Sequence, residues 1–227
     1  MSKKIFITGT GTDIGKTYVT GLILKKLFNN GINAAYYKAA LSGNDRDKEG
    51  KLIPGDAVHV KSVSGITQPL EEMCPYVYEN AYSPHLASRI EGNAVKLDRV
   101  VEGFRDVCEK YDYVTMEGSG GILCPLCFDE EEINLPDVIK ACGLGCIIVA
   151  DAGLGTINNV GLTAAYMKAE NIALNGIIFN NFEKGNVLHE DNLKMCEHVT
   201  GVKVVACVKE GDTELDISVD LLKSLYM

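Results

Sequence analysis

The sequence lacks the long hydrophobic run, the basic surplus and the export segment that several classes of protein require. Its longest apolar stretch, 141–150, is about half the length of a bilayer span and is interrupted by two glycines. The chain has 22 Lys and Arg against 31 Asp and Glu, and the resulting net charge of −9 disfavours binding to nucleic acid or to an anionic membrane. Lys3 and Lys4 precede only the short run 5–7, which is not the apolar core of a secretion signal. We therefore predict a cytoplasmic protein with no nucleic-acid partner and no membrane partner.

Linkers rich in proline or serine and internal repeats are also missing. The 227 residues have room for one large α/β domain or two small ones. Without a linker, a single domain over 1–227 is the simplest interpretation. Eight cysteines would be an even disulfide set in a small secreted protein, but without an export signal we interpret them as reduced thiols.

Short β-branched segments alternate along the chain with longer helical segments, and Gly, Asn or Asp marks the junctions. The predicted strands are 4–8, 34–38, 113–117, 146–151, 176–180 and 203–208. The predicted helices are 16–29, 57–63, 84–91, 96–110, 135–141, 158–170, 189–200 and 217–225, with loops at 41–54 and 126–134. Most of the strands lack strict alternation of apolar and polar residues, as expected when both faces of a parallel sheet are buried. The fold class is therefore predicted to be α/β, with a doubly wound, mostly parallel sheet and helices on both faces.

A glycine-rich segment joins the first predicted strand to the first predicted helix. It reads Gly-Thr-Gly-Thr-Asp-Ile-Gly-Lys-Thr over residues 9–17. Glycines let backbone N–H groups turn inward toward phosphate oxygens, and the helix N-terminus adds a partial positive charge. Gly9 lies one residue further from Gly15 than the standard phosphate loop has, so the loop is a variant. In such a loop Lys16 reaches the terminal phosphates and the Thr17 hydroxyl binds Mg²⁺, which predicts a P-loop NTPase site.

Two other interpretations of this segment are weaker. An exposed glycine-rich turn with a solvated lysine would not need a strand before it and a helix after it, yet both are predicted. A dinucleotide site is disfavoured because the glycine spacing differs from G-x-G-x-x-G.

Polar residues also stand at the ends of the second and third predicted strands. Lys38 ends the second strand, and Glu117 ends the third and leads into Gly118-Ser119-Gly120-Gly121. Asp56 stands at the start of a predicted helix. Taken singly, such an aspartate is more often a helix cap and such a lysine a solvated charge. Because the carboxyl ends of parallel strands share one edge, we expect these groups to converge, and the two carboxylates with the loop threonine offer the hard oxygens that Mg²⁺ prefers.

The ordered set of motifs resembles the dethiobiotin synthetase family from about residue 4 to residue 182. The segments that carry the resemblance are the variant loop 9–17, Tyr37-Lys38, Ser42-Gly43, Asp56, Ser83-Pro84-His85, 117–121, Pro125-Leu126, 154–158 and Asn180. The resemblance implies a ligase that carboxylates 7,8-diaminononanoate with CO2 and closes the ring to dethiobiotin, in biotin biosynthesis. It implies ATP as co-substrate, Mg²⁺ as cofactor, and a carbamate followed by a carbamic-phosphoric anhydride. It also implies a homodimer with sites near the interface.

The same resemblance implies roles for individual residues. Lys16 and Lys38 would be the catalytic cations beside the phosphoryl group and the carbamate. The implied metal ligands are Thr17, Asp56 and Glu117. The implied nucleotide-binding residues are Asp13, Ile14, Gly15, Lys16, Thr17, Tyr18, Asp56, Glu117, Gly118, Ser119, Gly120, Asn180 and Asn181, with Asn180 at the base edge. The implied substrate-binding residues are Thr12, Ser42, Gly118 and Asn158, with Asn158 reaching the substrate carboxylate from the neighbouring subunit.

Departures from the family pattern leave the identity of the nucleotide base undecided. Ala39 stands where many relatives have proline, and 207–210 replaces the Gly-Glu-Ile-Pro segment that helps to wall the base, so GTP or another triphosphate stays an alternative to ATP. A nucleotide switch of the ParA/MinD type is an alternative function, although such switches carry a signature lysine at the position of Gly11. An amidotransferase-linked synthetase of the cobalamin pathway is a third, but that class carries a glutaminase domain that this sequence does not show.

Overall fold

A computed structural model describes residues 2–129 and 131–227. The strands within these residues are β1 (Lys3–Gly9), β2 (Ala34–Lys38), β3 (Tyr113–Glu117), β4 (Pro125–Phe128), β5 (Glu132–Asn134), β6 (Cys146–Asp151), β7 (Leu174–Asn180) and β8 (Val204–Cys207). Parallel pairing links six of them into one sheet with the order β2-β3-β1-β6-β7-β8. All six predicted strands belong to this sheet, which confirms the predicted α/β class.

The helices are α1 (Lys16–Asn29), α2 (Gly55–Ser64), α3 (Pro84–Ile90), α4 (Leu97–Lys110), α5 (Leu135–Cys142), α6 (Thr156–Ala169), α7 (Val187–Thr200) and α8 (Val219–Ser224), and a 3-10 turn covers Leu70–Glu72. Each of them overlaps a predicted helix apart from the short 3-10 turn. Side chains of α1, α2 and α8 share a core with one face of the sheet, and side chains of α4 to α7 share a core with the other. Across the described residues, every helix falls short of the length and hydrophobicity that a bilayer span requires.

Successive residues of the central strands enter different cores. In β1, Ile5 and Ile7 belong to the core shared with α1, whereas Phe6 belongs to the core on the opposite face. In β6, Ile147 and Ile148 divide between the two cores in the same way. Because side chains alternate between the faces of a strand, apolar residues at consecutive positions bury both faces. This double burial explains why the strand segments are continuously apolar rather than alternating.

The prediction of a loop over 126–134 was wrong in part. Strands β4 and β5 form a separate antiparallel pair, in which Cys127 faces Ile133. Both of these side chains are buried, and Leu126 is buried beside them. The acidic residues between the two strands dominate the local composition, so the short apolar segments on either side were not recognised as strands. One of these acidic residues, Glu130, lies outside the described residues. Segment 41–54 forms neither helix nor regular strand, as predicted, and contains only isolated bridges.

The register of the sheet sets the positions of the candidate site residues. Lys38 at the end of β2 pairs with Glu117 at the end of β3, and Glu117 pairs with Ile7 of β1. The segment that follows β1 therefore leaves the sheet beside both residues. The outer side of β2 is covered rather than open, because the Lys38 amide donates to the Met73 carbonyl at 2.8 Å. The backbone at Lys38 is therefore hydrogen-bonded to the Met73 segment on its outer side and paired with β3 on its inner side.

Candidate active site

The loop between β1 and α1 leads directly into the first turn of the helix. Asp13 and Gly15 both adopt positive φ angles, of 57° and 88°. A Cβ on Gly15 would lie 2.1 Å from Nδ2 of Asn180, so only glycine fits there. The Asn180 amide donates to the Ile14 carbonyl at 3.0 Å. The end of β7 thus holds the loop through the Asn180–Ile14 hydrogen bond, and the N-terminus of α1 faces the cleft.

Lys16 is the first residue of α1, and its side chain folds back over the loop. Nζ donates to the Gly11 carbonyl at 2.8 Å, and the residue is only 7% exposed. Burial, followed by the nearby Lys38 ammonium, lowers the pKa of Lys16, and the carboxylates of Glu117 and Asp56 oppose this shift. Among residues 2–129 and 131–227, Lys16 therefore has no carboxylate partner at hydrogen-bond distance, and the loop holds a cation that can pair with an incoming anion.

Lys38, Asp56, Glu117 and Thr17 form a compact charged cluster beside Lys16. Lys38 Nζ lies 2.6 Å from Asp56 Oδ2 and 2.8 Å from Glu117 Oε1. The Thr17 hydroxyl donates to the same Glu117 Oε1 at 2.8 Å. Burial by itself would lower the pKa of Lys38, but the two carboxylates outweigh it and raise the pKa well above the usual value of a lysine. The shared edge of the sheet has brought together residues that are up to a hundred positions apart.

The second oxygen of Glu117 has a partner that sequence reasoning missed. The Tyr36 hydroxyl donates to Glu117 Oε2 at 3.1 Å, and both side chains are fully buried. Burial, then the charges of Glu117 and Asp56, raise the pKa of Tyr36 well above its ordinary value. Tyr36 stands two residues before Lys38 and therefore on the same face of β2. This period of two is the signal that could have placed it at the site.

These groups line a cleft of about 430 Å³, within the usual size of small-molecule sites. All of the lining residues except Leu41 belong to the predicted site: Thr12, Asp13, Gly15, Lys16, Thr17, Lys38, Ser42, Asp56, Glu117, Ser119 and Gly120. Ser119 Oγ donates to the Ala40 carbonyl at 2.9 Å, and Ser42 Oγ donates to the Tyr82 carbonyl at 2.6 Å. These bonds hold the two serines at the rim, in the segments that follow the neighbouring strands β2 and β3.

Three predicted site residues do not line the cleft: Ile14, Tyr18 and Gly118. The carbonyl of Ile14 faces Asn180, as described above. The hydroxyl of Tyr18 donates to the Asp212 carbonyl and so joins α1 to the segment after β8. A Cβ on Gly118 would lie 2.8 Å from the Phe6 ring, so a larger residue at this position would collide with the core.

The three predicted asparagines also lie outside the wall of this cleft. Asn180 Oδ1 is enclosed and has no hydrogen-bond partner among the described residues, so it is not open to a base in this structure. The Asn181 side chain is exposed and donates to Asp151 Oδ2 at 2.6 Å. Asn158 lies in the first turn of α6 and is exposed there. Their assigned roles stay predictions.

The oxygen donors of the cluster fit Mg²⁺. Thr17, Asp56 and Glu117 present one hydroxyl and two carboxylates, which are hard oxygen ligands. Residues 2–129 and 131–227 contain no group of three or more His, Cys, Asp or Glu side chains arranged as a metal cage. Mg²⁺ commonly binds through one or two carboxylates together with substrate phosphates and water, so this sparse donor set suits a metal that arrives with a nucleotide.

Known proteins that are similar to the chain over nearly its full length share one activity in their names. A family model described as an AAA domain matches residues 3–213. The ATP-dependent dethiobiotin synthetase BioD of Brachyspira hyodysenteriae is 47% identical over 217 residues, which cover 95% of this chain and 96% of the relative. The enzyme of the same name from Clostridium perfringens is 45% identical over 92% of this chain and 91% of its own. That of a Clostridium botulinum strain is 43% identical over 100% of this chain and 99% of its own.

Solved structures that share the architecture are much more distant in sequence. The MinD cell division protein of Aquifex aeolicus aligns with a TM-score of 0.56 at 12% identity and covers 98% of this chain and 86% of its own. A ParA family ATPase from Chlorobium tepidum aligns with a TM-score of 0.54 at 14% identity and covers 93% of this chain and 84% of its own. Such low identity shows a common fold and nothing about activity. The relatives above 40% identity decide the family, and the chain belongs to the ATP-dependent dethiobiotin synthetases.

Proposed function

We propose that the chain catalyses the ATP-dependent conversion of 7,8-diaminononanoate and CO2 to dethiobiotin, a ligase reaction of biotin biosynthesis, in the cleft lined by Lys16 and Lys38. Membership of the family supports the reaction. The single observation that supports the location is that the Lys38 ammonium lies between Asp56 and Glu117, beside the loop that carries Lys16. Two cations at one strand edge suit a reaction that brings a carbamate and a triphosphate together.

The reaction needs alignment and charge stabilisation more than covalent help from the protein. One amine of the substrate attacks CO2, forms an N–C bond and loses a proton to give a carbamate. A carbamate oxygen then attacks the γ-phosphorus, and the bond to the ADP oxygen breaks. The second amine attacks the carbonyl carbon of the resulting anhydride, the bond to the phosphate oxygen breaks, and phosphate leaves as the urea ring closes with loss of a proton.

Each cation has a separate task in this scheme. Loop N–H groups of residues 13–18 bind the phosphates at the start of α1, and Lys16 neutralises the charge on the terminal ones. Lys16 Nζ donates to the neutral Gly11 carbonyl, and a charged phosphate oxygen would be a stronger acceptor in its place. Lys38 faces the carbamate, and Ser42 at the rim of the cleft contacts the substrate.

Thr17, Asp56 and Glu117 would hold Mg²⁺ in this cleft. When bound, the metal would supply charge neutralisation on the phosphates. Lys38 already pairs with both carboxylates, at 2.6 Å and 2.8 Å. The same two side chains would therefore orient the metal on one side and the carbamate-facing ammonium on the other, which links nucleotide position to substrate position.

Product formation tests the proposed function directly. The purified chain with ATP, Mg²⁺, bicarbonate and 7,8-diaminononanoate is expected to form dethiobiotin and ADP in equal amounts, measured by mass spectrometry and by a coupled ADP assay. Omission of the diamine should reduce ADP release to background. ATP hydrolysis that ignores the diamine, or that responds only to DNA or lipid, would instead favour a nucleotide switch. Replacing ATP by GTP or CTP in the same assay settles the base preference.

A homodimer with Asn158 near the partner's site is also part of the proposal. Leu154, just before α6, is 91% exposed, and Leu162 on α6 is 64% exposed. Asn158 and Leu162 are four residues apart and therefore lie on one face of the helix. Large exposed apolar side chains on one surface are typical of an interface between proteins. A second copy of the chain would cover them and would bring a polar amide to the edge of the neighbouring cleft.

Leu162→Glu is expected to convert the dimer to a monomer, because a carboxylate would be buried at the interface. Light scattering should give about twice the chain mass of 24.6 kDa for the wild type and about that mass for the variant. The KM for the diamine should rise while the affinity for ADP is unchanged, since the loop 9–17 is intact. Lys168→Glu, which places a carboxylate on another face of α6, is the matched control and should stay dimeric. A fully active wild-type monomer would contradict the proposal.

A further inference from the structure

Tyr36 is held rigidly next to the proposed metal ligands without lining the cleft. Its backbone N–H donates to Gln68 Oε1 at 2.8 Å, and its side chain is completely buried beside the cluster. The hydroxyl is 3.1 Å from Glu117 Oε2. A buried aromatic side chain with two rotatable bonds that is fixed at both ends has little freedom to move. The hydroxyl is therefore a stationary donor toward one oxygen of Glu117.

The two oxygens of the Glu117 carboxylate have different partners. Oε1 accepts hydrogen bonds from Thr17 Oγ1 and Lys38 Nζ, both at 2.8 Å. Oε2 accepts from Tyr36. The terminal torsion of a glutamate is broad and roughly two-fold, so donors on one oxygen alone would leave the carboxylate free to turn. A donor on each oxygen fixes its plane and directs Oε1 toward the cleft.

We propose that Tyr36 is a positioning residue, which holds the Glu117 carboxylate in the orientation that metal-bound nucleotide requires. This inference rests on the proposed function, because it takes Glu117 as a ligand of the metal that arrives with ATP. Tyr36 does not touch the reacting atoms, and its action passes through Glu117. Its removal should weaken the part of nucleotide binding that depends on metal and leave the phosphate loop itself unchanged.

A purely structural role for the hydroxyl would have a different result. The hydroxyl would then only satisfy a buried carboxylate, and its loss would lower stability without a specific effect on metal. Tyr37 offers the matched comparison. It is equally buried, and its hydroxyl donates to the Val100 carbonyl at 2.9 Å on the opposite face of β2. Tyr36→Phe and Tyr37→Phe therefore each remove one buried hydroxyl from adjacent positions of the same strand.

The test measures ADP binding by calorimetry, with Mg²⁺ and with EDTA, and the thermal unfolding of each variant. In Tyr36→Phe, the increase of ADP affinity on adding Mg²⁺ should be about tenfold smaller than in the wild type, equivalent to about 1.4 kcal/mol. ADP affinity in EDTA should be unchanged. The apparent KM for Mg²⁺ in turnover should rise by a similar factor while kcat at saturating Mg²⁺ falls less. Tyr37→Phe should keep the wild-type response to Mg²⁺ whatever its stability.

Several outcomes would overturn the inference. An unchanged response to Mg²⁺ in Tyr36→Phe, or an equal loss in Tyr37→Phe, makes the hydroxyl merely structural. If the phenylalanine variant does not fold, Tyr36→Met removes the hydroxyl with a flexible side chain that can fill the space, and the same comparison applies. Failure of the proposed function would give a different result. The wild type would then bind ADP more tightly with Mg²⁺ but form no dethiobiotin. That outcome would contradict the ligase assignment, and the comparison of Tyr36→Phe with Tyr37→Phe would still be valid.

Discussion

Lys16→Ala is expected to lower kcat by at least about 10³-fold while the protein stays folded. The Lys16 ammonium is nearly buried, opens α1 and lines the cleft. In phosphoryl transfer a preorganised cation stabilises the charge that spreads over the transferring group, and loss of a comparable cation costs about 10³- to 10⁵-fold in kcat. No other lysine lies in the loop to replace it. ADP release in the presence of the diamine, measured with the coupled assay, gives the rate.

The fold should survive this substitution because Lys16 forms no ion pair with any residue that the structure describes. Its hydrogen bond is to the Gly11 carbonyl, and its lowered pKa means that the folded state disfavours the ammonium. Thermal unfolding of Lys16→Ala should therefore resemble that of the wild type. Lys26→Ala, in the last turn of the same helix, is the control and should keep full activity. Retention of more than about a tenth of wild-type kcat in Lys16→Ala would contradict the assigned role.

The sheet could be predicted from sequence because its signals are local. Continuous apolar segments such as 146–150 contribute side chains to both cores, and glycine or asparagine marks the junctions between elements. The ends of the helices were predicted less well. Helix α6 begins at Thr156 rather than at 158, because Gly155 adopts a left-handed conformation directly before it and serves as its N-cap. The β4–β5 pair was missed because its strands are short and the acidic segment between them resembles a solvated loop.

The composition of the site could also be predicted, although its internal contacts could not. The rule that parallel strands end at one edge was enough to bring Lys38 and Glu117 to the loop. The rule does not say which oxygen of Glu117 each donor reaches, and so Tyr36 went unnoticed. A Cβ on Gly118 would collide with the Phe6 ring, a contact that the sequence did not reveal, and the close approach of a ligand to this glycine stays a prediction. Such details depend on register and side-chain direction, which a single sequence does not contain.

Lys38→Ala, unlike Lys16→Ala, is expected to lower the stability of the protein, and it should also lower turnover. The Lys38 ammonium pairs with both Asp56 and Glu117, and its raised pKa means that the folded state favours the ammonium. This contribution is fully present at neutral pH and would be lost only as pH rises through the raised pKa. Removing one partner of a buried ion pair typically lowers the free energy of unfolding by about 3–5 kcal/mol. Denaturant unfolding of metal-free protein would measure it.

Turnover should fall by about 10²- to 10³-fold in Lys38→Ala, because the carbamate would lose the cation that is proposed to face it. ADP affinity should change only a few fold, since the loop 9–17 and Lys16 are intact. Lys203→Ala is the control: Lys203 pairs with Glu197 at 2.9 Å, but its side chain is 81% exposed. Loss of such a surface pair costs at most about 1 kcal/mol and should leave kcat unchanged.

Added Mg²⁺ separates the structural contribution of Lys38 from its catalytic one. A divalent cation held by Asp56 and Glu117 would replace the missing ammonium as a counter-charge, so Mg²⁺ with ADP should restore much of the stability of Lys38→Ala. It would not restore a cation that faces the carbamate, and kcat should therefore stay low. Recovery of kcat together with stability would mean that Lys38 only neutralises the two carboxylates. Lost ADP affinity in place of lost turnover would move Lys38 from the carbamate to the nucleotide.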